Sequence, residues 1–181
     1  MRILLINGPI GVGKTKIGKE LALHVHTAGE NTVFFDMDHE FELVNHFAVT
    51  SEEIRKERWL AARKNTAQKV NASHANAAYI IISGPFYQKD EIESLTNHID
   101  KAHEVFLYNL TAPLDVRLKQ NKKRGEQGEQ AKNDDQTLID QDKQIQELQE
   151  RFGVDINNDR EIKETIAEIL TLIETNTGKL L

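Results

Sequence analysis

The chain has 181 residues, 39% hydrophobic and 29% charged, a composition typical of one globular domain with room for a small inserted lid. Its formal net charge of −6, without a long basic run, argues against a broad nucleic-acid-binding surface. The absence of cysteine excludes disulfides, thiolate metal sites and cysteine nucleophiles, and no apolar run is long enough for a signal peptide or a membrane span. We therefore expect a cytoplasmic protein, monomeric or forming a small homo-oligomer, that binds neither nucleic acid nor membranes.

Apolar spacing divides most of the chain into alternating strands and helices. Short runs of β-branched and aromatic residues predict strands, and apolar residues three or four apart predict helices. In chain order these are a strand at residues 2–7, a helix at about 14–28, a strand at 32–36, a helix at about 50–72, a strand at 78–83, a helix near 89–97 and a strand at 105–110. Thr50 and Glu53 have the spacing of a capping box at the start of the long helix.

The last third of the chain predicts three more helices and one short strand. Pro113 is expected in the first turn of the next helix, which Thr111 or Ala112 would cap. Residues 122–136 are polar, contain two glycines and lack core residues, which predicts a mobile loop or lid. Two further helices are predicted, one through Leu138, Ile145, Leu148 and Phe152 and the last through Ile162, Ile166, Ile169 and Ile173, with an edge strand at residues 153–158 between them.

The alternation of strands and helices predicts an α/β fold in which a mostly parallel sheet is covered by helices on both faces. In such sheets, ligands bind at the carboxyl ends of the strands. Gly8, Asp36, Gly84 and Thr111 each end or follow a predicted strand. We therefore expect these four residues to lie along one edge of the sheet.

Residues 7–18 read NGPIGVGKTKIG and contain the Gly-x-x-x-x-Gly-Lys-Thr spacing of a phosphate-binding loop. Glycines allow the backbone N–H groups to surround a polyphosphate, and the N-terminus of the following helix favours the anion. We expect Lys14 to neutralise the terminal phosphates during catalysis and the Thr15 hydroxyl to ligate Mg²⁺. A chance glycine-rich turn is the alternative, but an apolar strand precedes this stretch and an amphipathic helix follows it. The residues predicted to contact the nucleotide here are Gly8, Pro9, Ile10, Gly11, Val12, Gly13, Lys14, Thr15 and Lys16.

Two aspartates follow the second predicted strand. Phosphoryl transfer requires Mg²⁺ beside the phosphates, often with an acid at the end of a neighbouring strand, and Asp36 ends the run TVFFD. Asp38 lies two residues later, so an extended backbone would place both side chains on the same side. We expect Asp36 to organise the metal and Asp38 to act on the acceptor hydroxyl as a base or orienting group. The alternative is an acidic loop that caps the next helix.

These motifs resemble those of the small P-loop metabolite kinases of the shikimate kinase and gluconate kinase type, in the nucleoside-monophosphate-kinase-like group. The resemblance covers nearly the whole chain through GPIGVGKT, FFDMD, IISGPF, LTAPLDVRLKQNKKR and VDINN. It implies a three-layer α/β/α P-loop fold with a small mobile lid, ATP and Mg²⁺ as cofactors, and transfer of the γ-phosphate to a small molecule. It also implies that Asp36 lies near Mg²⁺ and that Asp38 contacts the acceptor hydroxyl.

By the same resemblance, two arginines take the positions of the family's lid arginines. Arg117 would pack on the adenine, and Arg124 would reach the transferring phosphate. Asp155 and Asn157 fall in a stretch that resembles the adenine-side loop. Guanidinium groups suit the charge of a phosphoryl group, although a solvated basic helix end is the alternative interpretation of residues 122–124.

Two departures from the family pattern argue against shikimate as the acceptor. Shikimate kinases carry a glycine triplet after the third strand, where residues 83–86 read SGPF. They also carry a substrate-binding arginine after the lid, where residues 142–144 read DKQ. Gluconate stays open as an acceptor.

The acceptor pocket is expected between the second-strand acids, the turn after the third strand and the long helix. Arg55 and Arg58 share a helix face and would bind an anionic acceptor, with Gly84 beside it and Arg63 as a further cation. The alternative is a solvated charged surface. The seven histidines show no metal-ligand spacing.

Three functional hypotheses follow. The leading one is an ATP-dependent phosphotransferase acting on a hydroxyl-bearing metabolite, nucleoside or drug. The second is a regulatory NTPase or switch, although residues 121–124 (NKKR) lack the aspartate of a guanine-binding motif. The third is a nucleotide-binding regulatory or resistance protein that phosphorylates no acceptor.

Overall fold

A computed structural model describes residues 1–44, 51–73, 77–100, 103–123, 134–148 and 150–180, together with the backbone alone of residues 124–126. Within these ranges, five strands form one sheet in the order β2-β3-β1-β4-β5, and every pairing is parallel. The strands are β1 (Arg2–Asn7), β2 (Thr32–Asp36), β3 (Tyr79–Ser83), β4 (Glu104–Thr111) and β5 (Val154–Asn157). The predicted parallel sheet is therefore confirmed, including its short edge strand.

Helices cover both faces of the sheet. The described ranges contain α1 (Lys14–Thr27), α2 (Met37–Val44), α3 (Glu52–Ser73), α4 (Lys89–Thr96), α5 (Leu114–Glu126), α6 (Asp135–Gln146) and α7 (Ile162–Glu174). Apolar residues of α1 and α7 form a core with one face, and those of α2, α3 and α4 form a core with the other. This is the three-layer α/β/α arrangement expected from the sequence. None of these described helices combines the length and the apolar character needed to cross a membrane.

Side chains alternate between the two cores along each strand. On β3, Ile80 and Ile82 face the core of α3 and α4, and Ile81 faces the core of α1 and α7. Both faces of the central strands are therefore buried, which is why these strands read as continuous apolar runs in the sequence.

The polar stretch at residues 122–136, which was predicted to be a mobile loop or lid, is helical at both ends, so it is not a loop throughout, and its role as a lid stays a prediction. α5 continues to Glu126 and α6 begins at Asp135, and residues 127–133 lie outside the described structure. Lys, Arg, Gln and Glu favour helix without adding an apolar pattern, so the helix was not visible from apolar spacing. Asp134 caps α6 by accepting the backbone N–H of Thr137 at 2.7 Å, and this bond lowers the pKa of Asp134.

Two helix starts differ slightly from their predictions. The carbonyl of Pro113 accepts N–H groups from the first turn of α5, so Pro113 precedes that helix rather than lying in its first turn. α3 begins after Ser51, whose hydroxyl oxygen accepts the N–H of Ile54 at 3.2 Å. Thr50, which was predicted to cap this helix, lies outside the described residues.

α6 is shorter than its apolar spacing indicated. It ends at Gln146, and Leu148 and Phe152 lie beyond its end. Phe152 packs against the core of α3 and α4 from the loop before β5, and its carbonyl accepts an N–H of the Asn109 side chain at 2.6 Å. Phe152 is apolar because it packs in the core from a loop, and its spacing from Leu138 and Ile145 made the predicted helix too long.

Candidate active site

The phosphate loop (residues 8–15) connects β1 to α1 at the carboxyl edge of the sheet. Its three glycines, Gly8, Gly11 and Gly13, have φ values of 143°, 81° and 96°, a region that favours glycine. A Cβ atom at Gly8 would lie 2.5 Å from the carbonyl oxygen of Leu110, so β4 passes this close only because residue 8 is glycine. The predicted loop is therefore a tightly packed turn before a helix N-terminus, with glycine at the positions where other side chains would not fit.

Lys14 lies over this loop. Its ammonium group donates hydrogen bonds to the carbonyl oxygens of Gly8 at 2.7 Å and Pro9 at 3.2 Å. The N–H groups of a phosphate loop surround the bound phosphates, so a lysine held across the loop is well placed to contact them. The role expected for Lys14 in catalysis stays a prediction.

Two residues that the sequence reasoning missed bind the loop from other elements. The Tyr87 hydroxyl, after β3, donates to the carbonyl oxygen of Gly8 at 2.6 Å. The side-chain amide of Asn158, after β5, donates to the carbonyl oxygen of Val12 at 2.7 Å. Both follow the end of a strand, which is the signal that could have identified them.

Arg117 is the most deeply buried charged side chain near the loop, with 1% of its surface exposed. Its guanidinium donates to the carbonyl oxygens of Ala112 at 3.2 Å and Ile10 at 3.3 Å, and forms an ion pair with Asp142 on α6. In this conformation α6 covers the guanidinium, so packing on an adenine requires α6 to move. That role of Arg117 stays a prediction.

α6 packs directly on the phosphate loop. The side-chain oxygen of Gln141 accepts the backbone N–H of Ile10 at 2.6 Å, and Leu138, fully buried, lies beside Gly11. Asp142, which stands where the resemblance places a substrate-binding arginine, bonds to Arg117 instead. The sequence did not predict this contact because it depends on where α6 lies relative to the loop.

Asp36 bridges the phosphate loop and α2. One carboxylate oxygen accepts the hydroxyl of Thr15 at 2.8 Å, and the other accepts the backbone N–H of Asp38 at 3.0 Å. α2 begins at Met37, so the prediction that extended backbone places Asp38 on the same side as Asp36 is wrong. Asp36 therefore lies beside the phosphate loop, as predicted for a metal-binding acid. It also caps α2, as the alternative interpretation predicted.

The oxygen atoms of Thr15 and Asp36 fit a magnesium site. Mg²⁺ prefers oxygen ligands and usually binds through one or two protein groups, water and substrate phosphates rather than through an all-protein cage. Across the described ranges, no cluster of three or more His, Asp and Glu side chains could hold a metal ion. Thr15 and Asp36 are thus the residues that would hold Mg²⁺ together with a nucleotide.

The Tyr87 side chain, which binds the phosphate loop, is buried beside negative charges. Burial raises the pKa of the Tyr87 hydroxyl, and the carboxylates of Glu91 and Asp38 raise it further. The Tyr87 hydroxyl therefore keeps the proton that it donates to the carbonyl oxygen of Gly8. The contact of Asp38 with the acceptor stays a prediction.

The two arginines predicted for the acceptor are engaged elsewhere. Arg55 is exposed and forms an ion pair with Glu52 at 3.6 Å. Arg58 donates to the carbonyl oxygens of Phe41 at 2.7 Å and Glu42 at 3.3 Å, at the C-terminal end of α2. Arg58 therefore stabilises α2, and acceptor binding by Arg55 or Arg58 stays a prediction.

Arg63 is the arginine of α3 that reaches the third-strand turn (residues 83–87). It is 6% exposed and donates to a Glu91 carboxylate oxygen at 2.9 Å, and the Glu91 carboxylate also accepts the N–H of Tyr87 at 2.7 Å. Burial lowers the pKa of Arg63, and the Glu91 charge opposes that shift. Gly84, in the same turn, is buried against Met37, where a Cβ atom would approach to 2.7 Å.

Buried amides connect the strand ends beneath the loop. Asn7 and Asn109 are register partners, and the Asn7 amide N–H donates to the Asn109 oxygen at 2.8 Å. Asn109 in turn donates to Asp155 at 3.2 Å, and Asp155 pairs with Arg151 at 3.2 Å. Asp155 and Asn157 are exposed on the β5 strand, and their predicted adenine contact is untested.

Two predicted nucleotide contacts have little structural description. Lys16 is exposed in the first turn of α1. Arg124 lies on α5, and its side chain is outside the described structure. Their roles stay predictions.

Beside the start of the loop is a small recess with a cavity volume of ≈ 20 Å³. It is lined by Asn7, Gly8, Pro9, Phe86, Tyr87, Asn109, Leu110, Ile145, Leu148, Arg151 and Phe152. In this conformation the recess has room for about one water molecule, and it adjoins the loop on the side of the third-strand turn.

Comparison with known proteins identifies the family and the fold. A family model described as shikimate kinase matches residues 10–174. No curated protein sequence shows a significant match. Similar solved structures include shikimate kinase from Acinetobacter baumannii in complex with shikimate, at 21% identity and a TM-score of 0.58, covering 97% of this chain and 93% of that chain. A gluconokinase from Sinorhizobium meliloti 1021 has 14% identity and a TM-score of 0.62, covering 96% and 92%.

A third similar structure is the Mycobacterium tuberculosis APS kinase CysC in complex with AMPPNP and APS, at 16% identity and a TM-score of 0.61, covering 96% of this chain and 97% of that chain. At such identities the solved structures show a common fold, and the family match extends over nearly the whole chain. The chain therefore belongs to the shikimate kinase family and is an ATP-dependent P-loop kinase of small molecules.

Proposed function

We propose that the protein transfers the γ-phosphate of ATP, bound with Mg²⁺, to a hydroxyl group of a small molecule other than shikimate. The observation that carries the proposal is the hydrogen bond of 2.8 Å between Thr15 and Asp36. The bond holds the acid that ends β2 beside the phosphate loop, which supports a metal site next to the donor phosphates.

On the donor side, the loop N–H groups and Lys14 bind the phosphates, and Thr15 and Asp36 hold the metal. Bound Mg²⁺ would supply positive charge where negative charge accumulates on the terminal phosphates. Arg124 is proposed to add a guanidinium donor to the transferring group.

On the acceptor side, Asp38 is proposed to orient the attacking hydroxyl and accept its proton. The backbone N–H of Asp38 donates to the carboxylate of Asp36, which also accepts the Thr15 hydroxyl, and this closeness to the phosphate loop supports the proposed role. Shikimate is expected to be a poor acceptor because residues 142–144 read DKQ, without the substrate-binding arginine that shikimate kinases carry after the lid. Asp142 instead forms an ion pair with Arg117. An anionic acceptor would find its cation on α3 instead, with Arg63 at the third-strand turn and Arg55 on the exposed face.

The experiment is a screen of hydroxyl-bearing metabolites, nucleosides and drugs for acceptor-dependent ADP formation. We expect one class of acceptor to raise ADP formation well above the rate with ATP and Mg²⁺ alone, and Lys14→Ala to abolish the increase. A switch or a nucleotide-binding regulator would instead show slow hydrolysis, or none, whatever is added. That outcome would contradict the proposal.

A further inference from the structure

Ser83, the last residue of β3, carries a buried hydroxyl without a partner. The residue is 1% exposed, and its Oγ atom has no hydrogen-bond partner within the described part of the chain. The only other buried side-chain atom in this condition there is Nε of Arg63, whose guanidinium is otherwise bound by Glu91. Burying an unpaired hydroxyl destabilises a protein, so the group is expected to have a partner in the working state.

The position of Ser83 in the sheet places it beside the proposed magnesium site. Ser83 is the register partner of Asp36 on β2 and of Ile6 on β1. Along β2, Phe34 faces the core of α1 and α7, and along β3, Ile81 does the same. Because side chains alternate, Asp36 and Ser83, each two residues later, lie on that face too.

This face is also the one from which α1 presents its N-terminus. Asp36 there accepts the hydroxyl of Thr15, in the first turn of α1. Ser83 thus ends the strand between β1 and β2, next to the two residues proposed to hold the metal. An alanine would fill nearly the same space without leaving an unpaired oxygen, so packing alone does not explain the hydroxyl.

We propose that the Ser83 hydroxyl hydrogen-bonds to a water ligand of the Mg²⁺ ion that accompanies the nucleotide. The inference rests on the proposed function, because it takes Mg²⁺ to bind with the nucleotide at Thr15 and Asp36. Mg²⁺ dehydrates reluctantly and keeps several waters, so a serine near it meets water rather than the ion. Ser83 is in this sense a positioning residue that orients a metal-bound water and does not touch the reacting atoms.

The test compares ADP affinity with and without Mg²⁺ for the wild type and Ser83→Ala, by calorimetric titration without turnover. In Ser83→Ala, we expect metal-free affinity to be unchanged and the gain in affinity from Mg²⁺ to fall by about tenfold. We also expect its melting temperature without ligand to rise by about 2–4 °C, because an unpaired buried hydroxyl has been removed.

The matched control removes a buried hydroxyl that already has a partner. Thr96 is 6% exposed and donates to the carbonyl oxygen of Ile92 at 3.1 Å. Thr96→Val should leave the Mg²⁺ effect at the wild-type level and should not raise the melting temperature.

Each other outcome has a distinct meaning. If Ser83→Ala keeps the full Mg²⁺ effect, or weakens ADP binding equally with and without Mg²⁺, the role of Ser83 is refuted while the proposed function stands. If the wild type itself shows no gain in affinity from Mg²⁺, the magnesium part of the proposed function fails, and this inference fails with it.

Discussion

The donor side and the acceptor side of this site are built in different ways. The donor side is one contiguous loop whose carbonyl groups are bound by Tyr87, Arg117 and Asn158, side chains from three separate parts of the sheet edge. The acceptor side consists of α2, α3 and the third-strand turn, and two of its three expected arginines, Arg55 and Arg58, are engaged in local structure.

This difference shows which half of a kinase site is constrained by the fold. The phosphates are the same for every acceptor, so the donor loop needs a rigid, repeatable geometry. The acceptor differs from one kinase to another. The residues expected to contact it lie on helices, and some of their charged side chains instead stabilise those helices. The predictions below test this contrast, from the largest expected effect to the smallest.

Lys14→Ala should lower kcat/KM by at least about a hundredfold, because it removes the cation that neutralises the phosphates. Lys19→Ala, on the exposed face of the same helix, is the control and should keep wild-type activity. Initial rates of ADP formation measure both. Near-normal activity in Lys14→Ala would break the assignment of the donor side.

Asp36→Asn should lower activity by about ten- to a hundredfold and raise the Mg²⁺ concentration needed for half-maximal rate. The fold should be retained, since an amide oxygen can still accept one of the two bonds that Asp36 makes. A Mg²⁺ titration of the initial rate, with circular dichroism as the check on folding, measures this. An unchanged Mg²⁺ requirement would show that the acid of β2 does not serve the metal.

Asp142→Ala should lower the free energy of unfolding by about 2–3 kcal/mol, because it leaves the buried Arg117 guanidinium without its carboxylate. This expected loss of stability is smaller than for a fully buried ion pair, because the Asp142 side chain is 23% exposed. Asp115→Ala breaks the exposed pair with Lys119 and should cost less than about 0.5 kcal/mol. Urea denaturation measures both, and equal effects would show that α6 is not held on the phosphate loop by this pair.

Tyr87→Phe should lower the free energy of unfolding by about 1 kcal/mol and activity severalfold, because it removes one hydrogen bond to the phosphate loop. Phe86→Leu would alter packing in the same turn without touching that bond. Activity that falls as far in Phe86→Leu as in Tyr87→Phe would mean that the hydroxyl has no specific role.

The same hydroxyl predicts a small pH effect. Burial and the Glu91 and Asp38 charges raise the Tyr87 pKa above its ordinary value of 10.0, so the folded state retains a proton that the unfolded state loses. The contribution of the protonated Tyr87 hydroxyl to the free energy of unfolding is therefore fully present below pH 10 and is lost as the pH rises further. The stability difference between the wild type and Tyr87→Phe should be flat from neutral pH to about 9 and shrink above 10. A difference that shrinks below pH 9 would contradict the raised pKa.

The parts that could be predicted from sequence are those set by neighbouring residues. The phosphate loop, all five strands and the acid at the end of β2 depend on local spacing and on the burial of parallel strands. The extended backbone predicted between Asp36 and Asp38 was wrong, because the start of α2 at residue 37 depends on Asp36 capping that helix.

The parts that could not be predicted depend on contacts between distant segments. Gln141 binds Ile10 and Asn158 binds Val12 across more than 130 residues of sequence in each case. Arg63, not Arg58, reaches the third-strand turn because α3 packs between α2 and α4 in an orientation that the charged sequence of α3 does not reveal.

The most direct test of the central claim measures both products of the reaction. With ATP, Mg²⁺ and an acceptor that stimulates the enzyme, mass spectrometry should find one phosphorylated acceptor for each ADP formed, and neither product with Lys14→Ala. ADP formation matched by inorganic phosphate, with no phosphorylated acceptor, would contradict the account of this protein as a small-molecule kinase.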